Sequence, residues 1–485
     1  FFYNADLRSQ NGLGEESIYV FPEVYEERQG TSEKVLVIHD GYSLNLRRAS
    51  VLADTLLLRD ETEDGIIDTY VDGAQYERHL YKDALNQASL LVAPRSEGKY
   101  KIVGLLNLTH RIEPLTSSER SSAGRNPHRI SKVIVEDGIY AVAEEAEHKF
   151  EERANVHRKG GQSLPTDFTI ELYFISDLEH TKKFKKNADH VEYVTLFMLS
   201  VSLQLQQLHP PGSILIKAIH GTYTKKQPYV NLTTDGRLLA DETLIQLSMH
   251  TWKSSAVLRS DIFYLATGRD AAYHHNGAIS SALLGLAHVK GACNEKTKFA
   301  VGEDITEPFS GVHTAIHEIG HLIGAKHDGE DYSIVACRAE NGYIMSPTSG
   351  GIRNYLFSLC SKLAFNEFLR SPDSSCLKDV ISQSRIVLLP QDRVPKMGAA
   401  VNRAEYCWQY FAYREASYDP VGTADDQCSF RCKLVGKNGK AEYAEIWAPD
   451  AIPCDKSDAK RKCRSGVCLP VNKSPRIGQK NQIIK

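Results

Sequence analysis

No cysteine precedes Cys293 in this chain of 485 residues. More than half of the sequence therefore lacks disulfides and any thiol for catalysis, metal binding or redox exchange. Long apolar runs are missing as well. The longest, Val194 to Leu208, contains Thr195, Ser200, Ser202 and Gln204, and is too short and too polar to cross a bilayer. Neither sign of charge dominates: 58 Lys and Arg stand against 61 Asp and Glu, a net −3. That balance argues against a nucleic-acid partner, and no acidic run suggests a solvating tail. The run Lys182, Lys183, Lys185, Lys186 reads as a solvated loop or helix end. The chain opens Phe1-Phe2-Tyr3, with neither Met nor a recognisable signal peptide. A processed or truncated sequence is expected, so export has to be argued from other features.

What is present is the composition of a soluble globular protein, 42% apolar and 25% charged. Its length suggests about three domains. The 10 cysteines fall in two groups: Cys293, Cys337, Cys360 and Cys376, then Cys407, Cys428, Cys432, Cys454, Cys463 and Cys468. An even, clustered set reads as disulfides formed in an oxidising compartment. Paired C-x2-C knuckles are absent from the tail, which argues against a structural zinc module there. Asn107, Asn231 and Asn472 begin Asn-x-Ser/Thr triplets, weak support for the secretory route.

The decisive stretch is His317-Glu318-Ile319-Gly320-His321-Leu322-Ile323-Gly324-Ala325-Lys326-His327-Asp328. On a helix His317 and His321 stand one turn apart on the same face, so both imidazoles can bind one Zn²⁺. Glu318 lies beside the first ligand and can act as general base on a metal-bound water. Gly324 lets the backbone leave the helix with a positive φ, and the turn lets His327 approach the metal. Three protein ligands leave one position for water, which marks a catalytic site. The row His313, His317, His321 spans two helical turns, too far for all three to share one ion. His313 is expected to be a packed or hydrogen-bonded helix residue.

This stretch resembles the metzincin metalloproteases, and the ending His327-Asp328 resembles their reprolysin or ADAM subgroup. The resemblance implies a methionine turn beneath the metal, which Asn341-Gly342-Tyr343-Ile344-Met345-Ser346-Pro347 would supply, with Met345 as its apolar floor. It gives Asp328 the task of steadying that turn by a hydrogen bond. It implies disulfides Cys293–Cys376 and Cys337–Cys360. It implies one catalytic Zn²⁺, allows for structural Ca²⁺, and makes Ala282 to Val289 the edge strand that binds a peptide in extended form. The nearest likeness is to secreted salivary metalloproteases of ticks, which suggests matrix or clotting proteins as substrates. Two other readings stay open: a vestigial protease acting through its cysteine-rich tail, and a truncated cell-surface sheddase.

Three parts are expected along the chain. Residues 1–160, with strands at Lys34 to Ile38 and Lys101 to Leu106, read as a β-rich domain. Through Ser89-Leu90-Leu91 and His110-Arg111-Ile112-Glu113-Pro114-Leu115, it resembles the reprolysin propeptide. Glu144 to Pro165 reads as a linker carrying a dibasic pair, Arg158-Lys159. With no cysteine in this part, latency would rest on blocking the cleft or on another ligand, for which Asp72 and His110 are candidates.

Residues 161–376 read as an α/β catalytic domain, a mixed sheet with helices. Strands are expected at Phe168 to Phe174, Ile214 to Ile219, Ile262 to Thr267 and Ile279 to Val289. Helices are expected at Val191 to Leu208 and Asp241 to Ser254, and Ser310 is expected to cap the site helix. Residues 377–485 read as a small disulfide-rich domain resembling the cysteine-rich or disintegrin-like modules of ADAMTS proteins. Arg-Gly-Asp is absent, since Gly268-Arg269-Asp270 only scrambles it.

Overall fold

The structure is a computed structural model. It describes residues 17–380 apart from 27–32, 40–41, 96–98, 116–125, 136, 144–162, 252–259, 306–307, 331–336 and 350–352. Beyond these it describes 403, 407, 416–420, 428–435, 440–448, 452–455, 458, 460–464 and 467–470. The dibasic pair Arg158-Lys159 and Asn472 lie outside the described residues.

The N-terminal part folds into a nine-stranded sheet, antiparallel throughout. Its strands alternate as a half-buried sheet requires. In Tyr42–Arg48, Tyr42, Leu44 and Leu46 face inward while Ser43, Asn45 and Arg47 point out. Leu36, Leu90, Ile102 and Ile112 complete that core.

The second sheet has ten strands and carries the site. Its centre is parallel: Phe168–Ser176 lies between Gly212–Thr222 and Ile262–Thr267, and Phe299–Glu303 follows. Both faces of these strands are covered, so they read as continuous apolar runs. The sheet then turns antiparallel through Ala278–Ala287 and Ala271–His275. On the opposite side Leu52–Thr62, from the N-terminal part, pairs in parallel with Gly212–Thr222, and Gly65–Asp72 forms the edge beyond it. Strands on both sides of residue 160 thus belong to one sheet.

The helix Asn187–Leu205 is buried on nearly all sides from Val191 onward, because it lies between the two sheets. Ser89 Oγ donates to its Leu196 carbonyl from one side, and Ser202 Oγ accepts from Ile214 N on the other. One apolar cluster runs from Val51, Leu52 and Leu56 through this helix to Ile316 and Ile319.

Several expectations need correcting. The Asn187 helix starts earlier than apolar periodicity suggested, because its first turn carries the polar Asn187, Asp189 and His190, and it stops earlier, at Leu205. The helix expected at Asp241 to Ser254 begins at Ala240 and is described to Thr251, and Ser254 lies outside the described residues. Ala271–His275 and Phe299–Glu303 are strands that sequence reading missed. Ser310 does not cap the site helix. Gly311 takes the cap position, and the buried Asp304 carboxylate accepts from Gly311 N at 3.0 Å and from Ser310 Oγ at 3.3 Å.

All ten cysteines are paired: Cys293–Cys376 and Cys337–Cys360 in the site-bearing part, then Cys407–Cys432, Cys428–Cys463 and Cys454–Cys468. No described helix is long and apolar enough to cross a membrane.

Candidate active site

The site helix, Val312–Leu322, is buried along its whole length. His317 and His321 project from one face, as their spacing demands. The helix stops at Ile323, and Gly324 follows with φ +118°, a conformation that a side chain would strain. That turn returns the chain so that His327 faces the same point. His317 Nε2 lies 3.0 Å from His321 Nε2, which is 3.2 Å from His327 Nε2.

Each ring's other nitrogen is committed elsewhere. Nδ1 of His317 donates to the Ile344 carbonyl, Nδ1 of His321 to the Ala325 carbonyl at 2.8 Å, and Nδ1 of His327 to Glu330 Oε1 at 3.0 Å. These bonds fix the tautomers and aim three Nε2 lone pairs at one another. Burial also pushes the His317 and His321 pKa values well down, favouring the neutral rings. Three converging lone pairs repel unless a cation lies between them. Ligands about 2.0–2.1 Å from a tetrahedral Zn²⁺ would stand about 3.3 Å apart, close to what is seen. The residues fit the ion.

Glu318 is buried, and neither carboxylate oxygen has a hydrogen-bond partner among the described residues. Burial raises its pKa well above the usual range. It faces the strand Ala278–Ala287: a Cβ on Gly285 would come within 2.5 Å of Glu318 Oε1. Beneath the helix, Met345 is fully buried, and its Sδ would lie 2.5 Å from a Cβ on Gly320. Asp328 N donates to the Met345 carbonyl at 2.8 Å, while Asp328 Oδ1 accepts from Ser358 Oγ at 2.6 Å. Asp328 therefore ties the methionine turn to the helix Leu359–Arg370, which Ser358 caps. Burial lifts its carboxyl to about 6, against the two serine hydrogen bonds.

His313 does not join the triad. It is buried, and burial pushes its pKa down to about 4. Its Nδ1 lies 2.8 Å from the hydroxyl of Tyr140, a residue that sequence reasoning overlooked. Tyr140 belongs to Ile139–Val142, which pairs in parallel with Leu283–Ala287. The strand expected as the edge runs Ala278–Ala287 and is no open edge, because Phe299–Glu303 pairs on one side and Ala271–His275 and Ile139–Val142 cover the other. On the far side of Ile139–Val142, Tyr140 N donates to the Pro347 carbonyl, and Gly138 and Ser349 exchange two hydrogen bonds. The Tyr140 ring stacks on His317 with centroids 3.8 Å apart and an interplanar angle of 16°.

The other latency candidates are not part of this arrangement. Asp72 caps a short helix through Ala74 N, and His110 is buried with its Nδ1 near Thr109 and Asn107. A second group of potential metal ligands, Cys428, Cys454 and Cys468, is wholly committed to disulfides and offers no thiolate.

Residues 135–358 match the profile of metallo-peptidase family M12, the reprolysins. This part of the chain is a reprolysin-type metalloendopeptidase domain. Among similar proteins, the venom metalloproteinase antarease TserMP_A of Tityus serrulatus is 27% identical over 382 residues, covering 74% of this chain and 92% of that one. The venom metalloproteinase BumaMPs1 of Olivierus martensii is 27% identical over 377 residues, covering 76% and 93%. A disintegrin and metalloproteinase with thrombospondin motifs 18 of Mus musculus is 28% identical over 344 residues, covering 67% of this chain but 26% of its own length. The likeness is thus to scorpion venom enzymes, and the expected affinity with tick salivary enzymes is not supported. The reprolysin match begins just before Ile139, so it takes in the segment that carries Tyr140.

Proposed function

We propose that the protein is a secreted zymogen of a zinc endopeptidase that cleaves extracellular proteins, with His317, His321 and His327 as ligands and Glu318 as general base. The observation that carries this reading is the convergence of three Nε2 atoms beside a buried carboxylate without partners. When bound, the ion supplies Lewis acidity to a water and a scissile carbonyl. Glu318 takes the water's proton at its carboxylate and delivers it to the leaving amine. Asp328 and Met345 keep the turn below the ligands in place. Five disulfides and the venom relatives support secretion.

Residues 1–160 act as the propeptide, residues 161–376 as the catalytic domain and 377–485 as a cysteine-rich domain. Latency follows from Gly138 to Ala143, which occupies the groove between Ala278–Ala287 and Pro347 to Ser349. Lying parallel to that strand, it presents its carbonyls in the opposite sense to an antiparallel peptide. It fills the groove without being cut. Cleavage near Arg158-Lys159 would free it. Matrix or clotting proteins are the substrate class.

The test is a casein or fibrinogen digest by the chain cleaved between residues 144 and 162, with and without a chelator. Glu318→Gln should retain zinc by atomic absorption while hydrolysis falls by about 10²–10⁴ or more. A mutant with near-native turnover would remove Glu318 from its role.

A further inference from the structure

Tyr140 occupies a pocket whose shape and polarity are legible. Its backbone is held on both sides, by Gly285 and by Pro347, as a bound peptide's would be. Its side chain leaves that extended backbone, covers the ring of His317, and ends at His313. The ring is buried, so the pocket is deep enough for a whole aromatic side chain. Its far end is polar: His313 Nδ1 meets the phenol oxygen at 2.8 Å, and the Tyr355 ring stands nearly perpendicular to the His313 ring with centroids 6.3 Å apart.

We propose that His313 makes this pocket select a tyrosine in the substrate residue flanking the cleaved bond. The inference rests on the endopeptidase reading above and deepens it. A phenylalanine ring would fill the same space but leave a buried ring nitrogen without its partner, and an unsatisfied buried polar group is costly. Sites built to bind a hydroxyl discriminate against the analogue lacking it for this reason. Tyr140 is the intramolecular occupant of the pocket that awaits the substrate's tyrosine.

Two measurements on the zinc-loaded full chain test it. In Tyr140→Ala the side-chain space is open to small molecules, and p-cresol and toluene reproduce the Tyr and Phe side chains. Calorimetry should show p-cresol binding roughly three- to tenfold more tightly than toluene, the range of one net hydrogen bond. His313→Leu in that background should bring the ratio to about one, and His313→Gln, which keeps a polar group, should restore part of it. Equal binding of both compounds to the Tyr140→Ala chain overturns the inference.

In parallel, the Tyr140→Ala chain, cut between residues 144 and 162 to release Gly138 to Ala143, digests a randomised peptide library. Tyrosine should exceed phenylalanine at one position flanking the cut by the same factor, and the excess should vanish in His313→Leu. Cleavage without that excess overturns the inference while the endopeptidase reading stands. Selective p-cresol binding with no peptide cut by any variant, even after cleavage between residues 144 and 162, supports the phenol-selective pocket and removes the endopeptidase reading.

Discussion

The two flanks of the reprolysin domain are held by opposite means. The N-terminal flank has no cysteine and is joined to the protease by strand pairing and a shared apolar core. Val51, Leu52, Leu56, Leu80 and Leu91 pack in one cluster with Phe168, Phe197 and Ile316. Among the described residues, the C-terminal flank has little apolar interior. Its described core is six half-cystines with Ala448 and Ile452, closed by three disulfides that stay within the tail. A small segment that cannot bury enough surface depends on bridges. The contrast separates two kinds of attachment: the N-terminal flank is built into the sheet and core of the protease, whereas the tail is closed by its own bridges and depends on oxidation.

The strongest test of this contrast is removal of each flank. A chain starting at residue 163 would lose the neighbour of Gly212–Thr222 and much of the shared core. It should fail to give soluble, cooperatively folded protein, whereas a chain ending at residue 380 should fold with a protease melting temperature close to that of the whole protein. Equal behaviour of the two truncations by circular dichroism would erase the distinction.

A smaller effect comes from Leu56→Ala, in the fully buried part of the shared core. It should cost about 2–5 kcal/mol and, after proteolysis between 144 and 162, weaken retention of the N-terminal piece on native gel filtration. Replacing Cys454 and Cys468 by serine, a pair separated by 14 residues, should cost the tail about 2–4 kcal/mol. The protease transition should not move in calorimetry.

Acid should act on the protease between the two flanks and leave the tail's bridges untouched, since disulfides do not titrate. Burial alone would raise the Asp304 carboxyl, but the hydrogen bond and charge of His180, with Lys183 and Tyr193, pull it down to about 2 from 3.8. The unfolded chain therefore binds more protons between these values. The stabilisation, about 2 kcal/mol, is present above pH 4 and lost as pH falls toward 2. Asp304→Asn should flatten that part of the stability curve; an unchanged curve would show that Asp304 is not its source.

Much of the site was written in local sequence. The spacing of His317, His321 and His327 places the rings, and the strands at 168, 214 and 262 follow from apolar runs. What escaped was set by distant partners. Ile139–Val142 has only four residues and no local signature, because its conformation comes from Leu283–Ala287. Ser310 looked like a cap because it precedes the helix, but Asp304, on the preceding strand's end, takes the hydrogen bond. Leu52–Thr62 reads as an ordinary strand, and nothing local says which sheet it joins.

That strand also sets a schedule for biosynthesis. Leu52–Thr62 leaves the ribosome roughly 150 residues before its partner Gly212–Thr222, which at about 5–20 residues per second is on the order of 10–30 s. During that interval one side of the strand has only water, or a neighbouring nascent chain, for its backbone groups, and unpaired strand edges invite association. Slower translation would lengthen this exposure without altering a single contact of the finished protein, so yield in expression should depend on elongation rate.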